Sequence, residues 1–397
     1  MKIAILTSGI LPVPAILGGA VENLIDFYLE YNQQQKMHAI TIYSIKYTKI
    51  KRIETSHNHY HYINTNSWLT RLKRKIYSYK YPDFYYHYHI EYFLHEAIKH
   101  IKKENYELII LENRPGYAIP ISQIIKAPIV LHLHTDILNI DTLYAKEICK
   151  CCSSIITVSN YIKERVKNIG TATHVTTVYN GIDIQEFQSS RQNPITRKEL
   201  GFKDDDFIII YTGRISPIKG IKELIQAIRQ LQKYNEIKLL IVGSSNFGDI
   251  TDDDFSKEMK LLAINMDNRI KFTGFVPYPR IPSFLKIADI GVIPSTCEDA
   301  LTLSALEGMA VGLPLIVTRS GGIPEAIDEN CAIILDKDQR LVPSLADAIL
   351  YLYQDKGKRK SMSNAAFKRS LLFSKEKYAK QFFEELLNCS KRTIPQS

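Results

Sequence analysis

Residues 294–327, PSTCEDALTLSALEGMAVGLPLIVTRSGGIPEAI, constrain the fold of this 397-residue chain more than any other stretch. Just upstream, residues 287–295 (IADIGVIPS) are a short apolar run closed by Pro294 and Ser295, the pattern of a buried strand. From 301 to 311, Leu303, Leu306 and Ala310 recur at helical spacing, and Gly312 followed by Pro314 supplies a C-cap and a breaker. Residues 313–318 form the next apolar run. Strand, acidic loop, helix and strand make a parallel crossover unit, whose ligands sit beyond the carboxyl ends of its strands.

Asp299 stands at that mouth, with Glu298 beside it, and Glu307 lies one turn after Leu303. A helix start offers free N–H groups and partial positive charge to a phosphate. A carboxylate at 307 can accept hydrogen bonds from a ribose diol. The stretch reads as a cradle for a nucleotide sugar, with Leu301, Thr302 and Leu303 against the donor.

The rest of the chain repeats this grammar. Residues 1–7 (MKIAILT) form a first strand, and Gly18-Gly19 precedes an amphipathic helix over about residues 21–31, a junction that lets a backbone approach a diphosphate. Residues 127–134 (APIVLHLH) form another buried strand, whose period of two puts His132 and His134 on one face, His134 at the carboxyl end. Residues 207–216 (FIIIYTGRIS) run out on Arg214, with Lys219 five residues later. Residues 238–243 (KLLIVG) and 269–276 (RIKFTGFV) continue the pattern. Cations at Arg214 and Lys219 suit a departing diphosphate: Coulomb attraction at 4 Å is roughly 4 kcal/mol at an effective dielectric of 20.

Asp299 and Glu307, spaced as an acid, seven residues and Glu, follow Pro-Ser and precede the turn Gly321-Gly322-x-Pro324-Glu325. In this the chain resembles the retaining family 4 glycosyltransferases of the GT-B fold, bacterial surface-polysaccharide and spore-coat enzymes among them. Thr302 stands where that family often has Gly, and the first acid is Asp where Glu is usual. The resemblance implies two doubly wound, Rossmann-like α/β domains facing across a cleft. It implies that Asp299 or Glu298 positions the sugar, that Glu307 holds ribose, and that Arg214 and Lys219 hold the diphosphate. By the same resemblance His134 bonds the donor sugar, Glu325 lies behind the donor site, and Phe275 and Val276 follow Gly274 where backbone groups hold the base. No metal or other cofactor is implied.

Length fits two domains. The polar stretch 188–197 (QSSRQNPITR) marks the boundary, giving an acceptor-binding domain over 1–190, a donor-binding domain over 191–373, and a terminal helix within 374–397 that crosses back to the first. The first strand is not followed by GxGxxG, which disfavours a dinucleotide cofactor. The acid triplets 204–206 and 252–254 suggest a metal, but the first precedes a strand and the second opens a helix, where acids suit the dipole. Cys149, Cys151 and Cys152 cluster without a second CxxC or paired His, so neither zinc nor disulfides are expected, and the compartment is the reducing cytoplasm. Pro12 and Pro14 argue against a signal core, and no apolar stretch is long enough to span a bilayer.

The net charge of +9 is concentrated: residues 46–105 hold 12 Lys plus Arg against 5 Asp plus Glu. Trp68, Leu69, Leu72 and Ile76 mark an apolar stripe beside Arg71, Lys73, Arg74 and Lys75. Two readings stand: an anionic membrane surface met from its inner face, or a solvated face of the first domain. No nucleic-acid module accompanies the charge.

The expected activity is transfer of a hexose or hexosamine from a nucleotide sugar, UDP-linked, to a hydroxyl of a glycan or a polyprenyl-diphosphate-linked acceptor, with retention and without a metal. The main alternative is a non-catalytic coat or sugar-binding relative. A nucleotide-sugar epimerase is weaker, because the acid pattern is a transferase pattern.

Overall fold

A computed structural model describes residues 1–48, 50, 55–80, 92–189, 194–245, 253–266 and 268–390. The chain divides into two compact units, one made of Met1–Asn180 with Glu376–Ser397 and one of Gly181–Lys375. Each is an α/β unit around a parallel sheet.

In the first unit the strands are β1 (Lys2–Leu6), β2 (Ala39–Ile45), β3 (Asn58–Ile63), β4 (Leu108–Glu112), β5 (Ile129–Leu133), β6 (Ser154–Thr157) and β7 (His174–Thr177). They pair in the order β3-β2-β1-β4-β5-β6-β7, every pair parallel. β1, β4 and β5 are almost unbroken runs of Ile, Leu, Val and Ala because helices cover both faces of a parallel sheet. The order reverses between β1 and β4, the crevice where such sheets take ligands. The first helix, Ala20–Gln35, is longer than the expected 21–31 and buries Leu24, Ile25, Tyr28 and Leu29. Against it packs the last helix, Lys375–Ser390, whose Phe382 stacks on Tyr28 at 4.4 Å and 13°.

The second unit contains β8 (Phe207–Thr212), β9 (Ile237–Val242), β10 (Ile270–Phe272), β11 (Ile290–Ile293), β12 (Leu315–Thr318) and β13 (Ala332–Leu335), in the order β10-β9-β8-β11-β12-β13. All are parallel, and the reversal falls between β8 and β11. Ile209, Ile241, Ile290 and Ile316 meet helix residues Leu224, Ile228, Leu345 and Ile349 in one buried core. On β12, Leu315 sets its Cδ2 where a Cβ on either Gly291 or Gly308 would lie 2.8 Å away, so two small residues let the helix Leu303–Ala310 lie close on the sheet.

Several boundaries differ from the sequence reading. β11 is only four residues, because Asp289 leaves the strand to accept hydrogen bonds from the Ile208 amide at 2.8 Å and from Arg197 at 3.0 Å. The domain break falls at Asn180/Gly181 instead of within 188–197. The reason is local: Ile182 bridges to Ser374, Asp183 pairs with Lys375 at 2.7 Å, and Lys286 Nζ donates to the carbonyls of Gln188 and Ser189, all inside the second unit. At the other end, residues from Glu376 onward belong with the first unit.

Candidate functional site

In the second unit the loops after β8 and β11 are brought together by the sheet order. Gly220 has φ +71, and a Cβ there would lie 1.8 Å from the Pro294 carbonyl oxygen. Only glycine lets the two loops approach this closely. Thr296 N donates to Ile218 O at 3.0 Å and stitches them. Lys219, at the end of the short turn Pro217–Lys219, is thereby set against Asp299, Nζ to Oδ2 at 2.5 Å. The pair is largely buried, with 21% and 12% of the two side chains exposed. Arg214 lies on the same β8 loop, exposed, with its carbonyl accepting from the Tyr211 hydroxyl at 2.7 Å.

The loop after β12 clamps the acid from the other side. Gly322 N donates to Asp299 O at 2.8 Å, and Asp299 N donates to Ser320 Oγ at 2.9 Å. Gly321, with φ +48, has no room for a Cβ, which would meet Asp299 O at 2.0 Å. Glu298 accepts from Gly321 N at 2.5 Å and pairs with Lys337. The two neighbouring acids are therefore sorted: Asp299 faces Lys219, and Glu298 caps the Gly-Gly turn from a half-exposed position.

The helix begins at Leu303, with Thr302 as N-cap, so its free N–H groups come later than the expected start at 301. Thr302 Oγ1 and Ser304 Oγ bond each other at 2.8 Å. Leu301 and Leu303 are buried. Glu307, on the second turn, is 7% exposed. Burial pushes its carboxyl up to about 7, against the opposing pull of the Tyr278 hydroxyl. Phe275 and Val276 are half-buried beyond Gly274, whose carbonyl accepts from Gly243 N at 3.2 Å. Glu325, on the short helix Ile323–Ala326, is half-buried and its carbonyl accepts from Arg369.

In the first unit, Gly18 and Gly19 have φ +76 and +108 and lead into the helix Ala20–Gln35. A Cβ on Gly19 would lie 2.2 Å from Glu22 Oε2, so Glu22 folds back over the glycine pair. Burial pushes the Glu22 carboxyl up to about 7. At the ends of β4 and β5, His134 Nε2 and Glu112 Oε2 lie 2.8 Å apart, His132 Nδ1 is 3.1 Å from the same oxygen, and the Tyr28 hydroxyl donates to Oε1 at 2.8 Å. Burial alone would raise the Glu112 carboxyl, but His132 and the hydrogen bonds from both histidines hold it well below the usual carboxylate range. Burial and the neighbouring His132 lower His134 to about 4, so it is neutral at pH 7.

Sequence reasoning missed Glu112, Tyr28 and Tyr278, and it gave His134 no protein partner. The atoms of Glu112, His132 and His134 all lie within 4.8 Å, compact enough to hold a metal ion. Ligand atoms around a tetrahedral zinc stand about 3.3 Å apart, whereas the 2.8 Å approach of Nε2 to Oε2 is that of a hydrogen bond. Elsewhere, Asp206 accepts from Lys203 N at 2.8 Å and faces Lys238, and Asp253 caps the helix Asp254–Leu262 through Ser256 N. Asp252 and the segment 81–91 lie outside the described residues. None of the six cysteines is in a disulfide, and among the described residues no helix is long and apolar enough to cross a membrane.

Comparison with known proteins agrees with both halves. Residues 192–369 match the family profile "Glycosyl transferases group 1", and residues 33–186 match "Glycosyltransferase Family 4". The putative glycosyltransferase YtcC of Bacillus subtilis is 28% identical over 93% of this chain and 87% of its own. Spore coat protein SA of the same organism is 27% identical over 83% of this chain and 84% of its own. Among solved structures, Anabaena HepE in complex with UDP and glucose superposes with a TM-score of 0.74 at 22% identity, covering 98% of this chain and 100% of that one.

Proposed function

Since the chain belongs to the family 4 glycosyltransferases of the GT-B fold, we propose that it transfers a hexose or hexosamine from a UDP-sugar to an acceptor hydroxyl, with retention and without a metal. The observation that carries the reading is the Lys219–Asp299 pair at the β8/β11 reversal, with Arg214 on the same loop. In the free protein each charge of the pair neutralises the other. A donor diphosphate draws Lys219 onto its oxygens and leaves Asp299 to accept from a sugar hydroxyl. Arg214 and Lys219 then act on the charge that grows on the diphosphate as the glycosidic bond breaks. The leaving phosphate oxygen takes the acceptor proton, so no protein nucleophile is needed. Glu307 accepts from the ribose diol, Phe275 and Val276 flank the base, and Glu325 supports the loop behind the donor. The relative bound to UDP and glucose supports UDP as the nucleotide. The acceptor is a glycan or a polyprenyl-diphosphate-linked glycan used in surface-polysaccharide synthesis, and the reaction takes place in the cytoplasm.

The test is a UDP titration with GDP as the comparison, followed by thermal unfolding. Ligand at a hundred times its Kd stabilises by about 2.7 kcal/mol, a shift of roughly 5–11 °C for units of this size. A UDP-selective rise, unchanged by EDTA, is expected. Arg214→Ala and Lys219→Met should each slow transfer about a hundredfold or more while leaving unfolding temperature nearly unchanged. The likeness to a spore coat protein favours one second reading, a non-catalytic sugar-binding component. UDP binding without any turnover across a UDP-sugar panel would establish it in place of the first.

A further inference from the structure

Glu112, the last residue of β4, is fully buried and meets three side chains. The Tyr28 hydroxyl donates to Oε1 at 2.8 Å, while His134 Nε2 and His132 Nδ1 lie 2.8 and 3.1 Å from Oε2. The carboxyl is ionised at pH 7, and an ionised carboxylate offers lone pairs but no proton. Each ring nitrogen that faces it must therefore carry the hydrogen. Since His134 is neutral at pH 7, its single ring proton sits on Nε2 and its Nδ1 is a bare lone pair. That nitrogen is buried, and no described residue donates to it. His132 Nε2 is likewise unmet, but His132 lies inside β5 with the Phe382 ring 5.0 Å from its own. His134 instead follows the last residue of β5, near the β1/β4 reversal where such a sheet takes its ligand. A buried acceptor without a donor is unfavourable until a ligand meets it.

From this we infer that Glu112 is a positioning residue: it holds the His134 ring with its proton on Nε2, so that Nδ1 accepts a hydrogen bond from a hydroxyl of a sugar bound in the crevice of the first unit. The direction of that bond carries selectivity. A bare imidazole nitrogen takes a hydroxyl and repels an anionic oxygen, whereas the other tautomer would offer an N–H to either. The carboxylate is itself held from behind. Tyr28 pins Oε1, and Phe382 of the last helix stacks on Tyr28 at 4.4 Å and lies against His132. The identity of the ligand as a sugar rests on the transferase reading, while the tautomer rests on the first unit alone.

Histidine labelled with a heavy nitrogen isotope in the full chain reads the tautomer by magnetic resonance, the His134 signals being identified by their loss in His134→Gln. A proton on Nε2 and a bare Nδ1 are expected in the free protein at pH 7. UDP, UDP-glucose, UDP-N-acetylglucosamine and free glucose are then added in turn. A shift of Nδ1 with a UDP-sugar and not with UDP puts the hydroxyl on the donor sugar; a shift with free glucose puts it on the acceptor. Glu112→Gln, whose amide donates as well as accepts, should let the proton move to Nδ1 and lower kcat/KM about tenfold or more, with the UDP-dependent rise in unfolding temperature retained. Glu112→Asp keeps an acceptor-only group and should restore the tautomer and part of the rate. A proton on Nδ1 in the unsubstituted chain overturns the inference, as does an Nδ1 signal that none of these sugars moves, or a Glu112→Gln chain that changes tautomer at full kcat/KM. A chain that binds UDP but turns over no sugar overturns the transferase reading instead, and the spectra still decide the tautomer.

Discussion

With its carboxyl pushed up to about 7 by burial, Glu307 is mostly protonated near pH 6 and mostly ionised near pH 8. Stability and binding then move in opposite directions. A raised acid contributes stability that is full below its unfolded value and lost as pH rises through the folded one, here through about 7. The loss in the second unit is on the order of a few kcal/mol. A ribose diol, however, is held better by a carboxylate than by a carboxylic acid. UDP affinity should therefore rise several-fold between pH 6 and pH 8 while the ligand-free unit becomes less stable. Calorimetric titration across that range checks the first trend and thermal unfolding the second. Glu307→Gln should flatten both.

At the level of loops and helices, the Gly-Gly turn after β12 holds Asp299 through backbone contacts, so Gly321→Ala should cost about 1–3 kcal/mol through strain and displacement of that acid. UDP-sugar turnover should fall further than stability does, read by parallel kinetics and urea melts. This element was legible in the sequence because its signals are local. Gly312 and Pro314 do close the helix Leu303–Ala310, and Leu315–Thr318 follows as an apolar run. The strands read at 1–7, 127–134, 207–216 and 313–318 were legible because buried parallel strands are apolar on both faces, whereas β2, β3, β4 and β13 were not read from the sequence. What stayed hidden depends on partners far along the chain. Glu112 ends a strand of sequence LIILE with nothing nearby to mark it, yet its carboxylate meets Tyr28, His132 and His134 from two other elements. Likewise the choice between Glu298 and Asp299 is made by Lys337 and Lys219, 39 and 80 residues away in sequence.

On the scale of the whole molecule, each unit carries its own sheet and core, so each has its own response to conditions. The Glu112 and His134 values are both depressed in the folded first unit, so their stabilisation is present above the unfolded values and lost as pH falls, for His134 between 6.5 and about 4. The first unit should melt at lower temperature as pH drops through that window, and His134→Gln should remove much of the slope, seen by calorimetry. The second unit expressed alone as residues 181–375 should fold and keep its UDP-dependent stabilisation, because the proposed donor residues other than Gly18, Gly19 and His134 lie within it. Removing 376–397 should instead unfold the first unit, since Tyr378, Phe382, Phe383 and Leu386 are all buried in it.

The first unit draws its last helix from beyond the second, and that order matters on the ribosome. When Asn180 emerges, every strand of the first sheet has been made, but the aromatic ring that stacks on Tyr28 has not. Roughly 200 residues must still be translated, which at about 5–20 residues per second takes on the order of 10–40 s. For that interval the nascent chain carries a nearly finished domain with an uncovered apolar groove beside a helix, while the intervening domain folds to completion ahead of it. The part of the chain that is translated first is the part that matures last.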